Sequence, residues 1–227
     1  MKKRFEYAYD LTGAQTPMIR SFPIATGTVI EIGEMVKLVE GKVVAIGDAD
    51  QDDPYLGLAA EPHDGASDGQ KGLTIKVYCS PTAVFKCTPN VISTADSGNG
   101  TTWVDGELVA GAGYADDLLN GGFLKLQTKA GASTLTDPIG KLYAITDFAV
   151  ATGTCTGVFV GNVSANDKAV ILPPVGSKGW DFNSDGTNLD LKAAGGESVV
   201  IVDVDTDTEE IFFKLRLHTF GAHVVAI

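Results

Sequence analysis

The chain has 227 residues, 44% of them hydrophobic, which is enough to bury a core and too much for a disordered chain. Its 17 basic and 29 acidic side chains leave a formal charge of −12 and a pI near 4.5, a field that repels phosphate and argues against a nucleic-acid partner. The apolar runs fall well short of the roughly 20 residues that cross a bilayer. Charged residues follow Met1-Lys2-Lys3-Arg4 where a secretion signal needs an apolar stretch, so a protein without a membrane span that stays in the cytoplasm is expected.

In chain order, residues 1–20 come first as an extended segment. Phe5, Tyr7 and Tyr9 alternate with Arg4, Glu6 and Ala8 ahead of a turn-rich stretch. Two readings stand side by side. The segment is an edge strand of its own domain or a frayed terminus, or it is an arm that adds a strand to a partner's sheet. In the second reading Phe5, Tyr7 and Tyr9 fill pockets while Lys2, Lys3 and Arg4 approach an acidic patch.

Residues 21–92 read as a first β domain. Met35–Val39 and Lys42–Ile46 flank the two-residue turn Glu40-Gly41, a hairpin signature. Leu73, Ile75, Val77 and Cys79 alternate with Thr74, Lys76 and Tyr78, the period of a half-buried strand. Residues 93–121 are rich in Gly, Ala, Ser and Asp and read as a loop or linker, with room for one strand at Thr102–Val109.

Residues 122–227 read as a second β domain. Its expected strands are Phe123–Gln127, Lys141–Thr146, Thr156–Val160, Ala169–Leu172, Leu189–Lys192, Ser198–Val204 and Glu210–Leu217. The fold class is therefore mainly all-β, two small β-sandwich or β-barrel-like domains with an extended N-terminal arm.

No residue set carries catalytic chemistry. Gly65-Ala66-Ser67-Asp68-Gly69 matches the letters of a nucleophile elbow, but polar turn formers flank it where a strand and a helix are required. Asp181 to Thr187 opens like a calcium loop, yet its twelfth position is Lys192 where the ion needs a carboxylate. Asp203, Asp205 and Asp207 with Glu209 and Glu210 form the densest acidic run, read as a solvated loop or an adventitious cation site. His63, His218 and His223 lack metal spacing, and Cys79, Cys87 and Cys155 match no zinc pattern and read as reduced thiols. No enzyme activity, cofactor or metal is expected.

The run from Ile24 to Leu38, through Gly41-Lys42-Val43-Val44 to Tyr55–Glu61 and Ile75–Tyr78, resembles a pattern of structural proteins in tailed bacteriophages. Asp117–Leu124, Lys141–Ile145 and Leu172-Pro173-Pro174 have a related character. The chain is similar to accessory head proteins that decorate or cement icosahedral capsids. The resemblance implies a virion protein on the outer capsid surface, made in the host bacterial cytoplasm. Such a protein stabilises the shell by clamping neighbouring copies of the major capsid protein. It further implies a homotrimer and an N-terminal capsid-binding arm, here Lys2, Lys3, Arg4, Phe5, Tyr7 and Tyr9. Another virion part, a head fibre or a tail-tube subunit with residues 93–121 as its stacking loop, is the alternative.

Overall fold

The computed structural model describes residues 5–46, 54–65, 73–88, 91–109, 114–178, 181–182, 189–190, 198–216 and 218–219. Among them there is no helix, and the protein is all-β. The N-terminal strands are β1 (Glu6–Asp10), β2 (Ile19–Pro23), β3 (Val29–Ile30), β4 (Met35–Val39), β5 (Lys42–Ala45), β6 (Tyr55–Ala59), β7 (His63–Asp64), β8 (Thr74–Tyr78) and β9 (Ala83–Cys87). The middle of the chain supplies β10 (Ile92–Thr94), β11 (Ser97–Gly98), β12 (Thr102–Val104), β13 (Phe123–Thr128), β14 (Leu142–Ala144), β15 (Asp147–Ala149), β16 (Thr154–Thr156) and β17 (Lys168–Leu172). Then come β18 (Asp181–Phe182), β19 (Leu189–Asp190), β20 (Val199–Asp205) and β21 (Glu210–Leu215).

Strands β2, β8, β6, β4 and β5 form a five-stranded antiparallel sheet in that order. It does not close into a barrel, but it curls until its edges touch at one bridge, Ile24 to Val43, where Ala25 N–H donates to the Val43 carbonyl at 3.0 Å. The inside of the curl holds its own core of Ile24, Ile30, Val36, Val43, Leu56, Ala59, Ile75, Val77 and Cys79. The β4–β5 hairpin turns on Glu40 (φ 51°) and Gly41 (φ 75°), both left-handed as a tight two-residue turn demands. At Gly57 (φ 144°) the β4–β6 register slips, and a Cβ there would run into the Tyr78 carbonyl, so only glycine fits.

The opposite face of this sheet meets a second one, ordered β1-β9-β21-β20. Met35, Tyr55 and Leu58 join Phe5, Phe85, Ile201 and Phe213 in one buried cluster, and Tyr7 stacks on Tyr78 at 5.3 Å between ring centroids. The short pair β18–β19 adds Phe182, 5.0 Å from Tyr55.

Residues 92–172 build a sandwich of two four-stranded sheets, β10-β17-β13-β14 and β11-β12-β16-β15. Leu124, Leu126, Tyr143 and Ile171 of one sheet are buried with Trp103, Phe148 and Cys155 of the other. The Phe159 ring sits between them, 4.7 Å from Tyr143 and 6.4 Å from Trp103. Trp103 is fully buried, and its indole N–H donates to Ser93 Oγ at 2.8 Å. Ser93 donates in turn to the buried Asp105 carboxylate at 2.7 Å, so the polar atom taken into the core is matched.

This arrangement corrects the domain boundaries drawn from sequence. The segment 93–121 carries β10, β11 and β12, so it is part of the sandwich, and its many turn residues only keep those strands short. The segment 122–227 is split. After Leu172 the chain leaves the sandwich, and β21 pairs with β9 while His218 bridges Tyr55. The first module is thus discontinuous and the sandwich is inserted between β9 and β18. The expected arm over residues 1–20 is corrected at Glu6–Asp10, which are not free, because β1 is hydrogen-bonded along β9.

Candidate functional site: the N-terminal edge

Of the six residues assigned to partner binding, Lys2, Lys3 and Arg4 lie outside the described residues. Phe5 is 2% exposed, with its ring edge-on to Phe182 at 5.4 Å and to Phe213 at 5.1 Å. Tyr7 is half-buried between Tyr78 and Phe85. A bulge between Tyr7 and Tyr9 then turns the strand, and Tyr9 lies 40% exposed, 6.3 Å from Phe212. Phe5 and Tyr7 therefore anchor this chain to itself, a correction to the reading that sends them into a partner's pockets. The reason is that β9 has an open edge beside a gap lined by Phe182, Phe213 and Phe85, and the nearest aromatic strand fills it. Tyr9 alone of the three stays on the surface.

The end of β1 is fixed by Asp10. Its carboxylate accepts from Thr12 N–H (2.9 Å), Thr12 Oγ1 (2.6 Å), Ser80 Oγ (2.5 Å) and Thr82 Oγ1 (2.8 Å). Burial pushes its pKa up, but the hydrogen bonds from Ser80, Thr12 and Thr82 outweigh that and hold it at about 2. This ties the start of the chain to the β8–β9 turn. What remains outward is a pair of strand edges: β1 ends one sheet, β2 ends the other up to the bridge with β5 at Ile24, and Tyr9, Leu11, Met18 and Ile19 are all exposed nearby. Unpaired strand edges with apolar side chains are the chemistry of strand addition.

The other sequence candidates are structural where described. Gly65 sits in a left-handed turn (φ 71°) after β7, and Ser67, Asp68 and Gly69 lie outside the described residues, as do 183–188 of the calcium-like loop, Lys192 and His223. The acidic run is a hairpin tip that already holds a cation. Lys125 Nζ donates to the carbonyls of Thr206 (2.9 Å) and Asp207 (3.0 Å) and pairs with Glu209 at 3.0 Å. Asp205 accepts the Asp207 and Thr208 amides, which lower its pKa. Nothing in the sequence of the acidic run pointed to Lys125, more than 70 residues away. Among the described residues no group of three or more His, Cys, Asp or Glu side chains converges as a metal would require.

The three cysteines are buried and unbridged; burial raises all three thiol pKa values, that of Cys155 to about 12. His218 is buried, and desolvation lowers it to about 4. Sequence reasoning missed the buried aspartates. Asp167, wholly buried, accepts the amides of Ala130 (2.6 Å) and Ser164 (2.9 Å) and the Ser133 hydroxyl (2.9 Å), and so ties the β13–β14 loop to the β16–β17 loop of the sandwich. An Asp beside Ser, Asn or Thr is too common a turn signal to single such a residue out.

Compared with protein-family models, with curated proteins and with solved structures, the chain matches none.

Proposed function

We propose that this chain is a non-catalytic structural protein of a tailed-phage virion. It binds the outer surface of the icosahedral capsid, as a trimer, and clamps neighbouring copies of the major capsid protein. The observation that carries the reading is that the N-terminal segments of the resemblance fold as one unit, while Asp117–Leu124, Lys141–Ile145 and Leu172-Pro173-Pro174 fall in the sandwich or at its end. Residues 24–44, 55–61 and 75–78 supply β3 to β6 and β8, and they enclose the small core of the curled sheet. That part of the resemblance follows a folding unit. The exposed edges of β1 and β2 suit a clamp that acts through main-chain pairing, and many weak equivalent contacts suffice to hold a lattice. A tail-tube subunit is less well supported, because residues 93–104 of its needed stacking loop are spent on strands of the sandwich.

The test is cosedimentation of the purified chain with empty expanded shells of the phage that encodes it, followed by electron cryomicroscopy of the complex. Saturable binding at regular lattice positions is expected, weakened at least about tenfold by Tyr9→Asp or Ile19→Asp. Shells that pellet without the chain, or extra density confined to the tail, overturn the reading.

A further inference from the structure

The outer face of the sheet β11-β12-β16-β15 is built differently from the rest of the surface. Its inner row is Trp103, Cys155 and Phe148, so the residues between them point outward. Those are Ser97, Thr102, Val104, Ala149, Thr154 and Thr156, with Asp147 at one corner. Beyond Thr156 the alternation continues: Gly157 and Phe159 are buried, whereas Val158 is 77% exposed and Val160 53%. Hydrogen bonds from Gly157 N–H to the Thr101 carbonyl (3.0 Å) and from Phe159 N–H to the Gly100 carbonyl (2.9 Å) hold that run flat against the sheet.

Asp147 apart, the face carries no charge. No Asp, Glu, Lys, Arg or His occurs from Phe148 to Asn166, from Ser97 to Val104 or from Ala130 to Thr136, in a chain whose net charge is −12. Part of its hydroxyl capacity is used internally. Thr152 and Thr154 bond each other at 2.8 Å, and Thr146 donates to the Thr156 carbonyl at 3.1 Å.

We propose that this threonine- and valine-lined sheet face, with Val158 and Val160 at its end, is where the chain associates with a second copy of itself. Two molecules of the same strong charge repel at every approach except one that brings no like charges together. A flat run of β-branched side chains on one copy packs on the same run of another as two sheets do in a sandwich. A basic partner would be recognised by carboxylates, and this face supplies only Asp147. The same face packed on itself makes a two-fold pair, so this contact is separate from the three-fold contacts of the proposed capsid-bound trimer and holds whether or not the chain binds a shell.

Sedimentation velocity of the full chain tests it, over about 1–100 μM and at about 50 and 500 mM NaCl. Reversible association that strengthens with salt is expected, since salt screens the repulsion while the contact itself carries no ion pairs. Val158→Asp is expected to weaken association at least about tenfold, and Val160→Lys to do likewise. Both sites are exposed, so the variants fold, as circular dichroism will verify. Val175→Asp, at a position 62% exposed and outside the sheet, is expected to change nothing. A chain that stays monomeric at both salt concentrations overturns the proposal. So does association that salt weakens, the sign of a contact through the basic N-terminal residues, or association that Val158→Asp and Val160→Lys leave intact.

Discussion

Replacing Phe5 by Ala separates the two roles open to the N-terminal strand. If Phe5 served a partner, the isolated chain would lose nothing by its removal. In the structure its ring is 2% exposed and lies edge-on to Phe182 and Phe213 at 5.4 and 5.1 Å, so truncation empties a site whose walls are aromatic and cannot easily collapse. Buried Phe→Ala changes cost about 3–5 kcal/mol; an edge strand relaxes more than a central one, which places this change near 3 kcal/mol. For a chain of this size each kcal/mol lowers Tm by about 2–4 °C, so a loss of about 6–12 °C is expected by calorimetry. Tyr9→Ala, at a position 40% exposed, is expected to stay within about 0.5 kcal/mol of the parent. A Phe5→Ala protein that melts within about 2 °C of the parent would refute the packing argument.

Three further outcomes follow from the polar contacts and the thiols. Because the Asp10 pKa is depressed to about 2, its contribution is complete above the ordinary carboxylate range and fades as pH falls from about 4 through 2. The stability gap between the parent and Asp10→Asn, on the order of 1 kcal/mol once solvent screening is allowed for, should close over that window in urea titrations; a gap that ignores pH would be evidence against the carboxylate cage. Lys125→Met removes the ammonium that two carbonyls and Glu209 share, so a cost of about 1–3 kcal/mol is expected together with faster amide exchange across Asp205–Glu210; unchanged exchange there would disprove the clasp. With all three thiols buried and their pKa values raised, a disulfide reagent at pH 8 should find no fast-reacting cysteine in the native chain and three after denaturation.

The sequence made the local elements legible where one face is wet and the other dry. Ile75, Val77 and Cys79 are buried and Thr74 and Lys76 exposed, as their alternation requires, and the Glu40-Gly41 turn lies where two strands needed joining. Ile211, Phe213 and Leu215 likewise share the inner face of β21. Pairing over long distances was not legible. β9 and β21 are neighbours only because the sandwich between them returns its exit beside its entrance, and no local pattern encodes that. Trp103 shows the other limit: the glycine, serine and asparagine around it give a loop-like composition, although they serve the tight turns between strands of two and three residues. At the candidate site the aromatic alternation of Phe5, Tyr7 and Tyr9 marked a strand correctly but could not say whose core would receive it.

The interrupted first module imposes an order on biosynthesis. Strand β9 is complete at Cys87, and its neighbour β21 begins pairing at Ile211, 124 residues later. At translation speeds of about 5–20 residues per second, one side of β9 waits roughly 6–25 s for its match. Throughout that interval Phe85 is without Phe213, and a nascent polypeptide exposes both an aromatic surface and an open ladder to other ribosomal products. The intervening sandwich draws all of its strands from one contiguous stretch, so it can finish folding first and deliver the trailing hairpin to the waiting half.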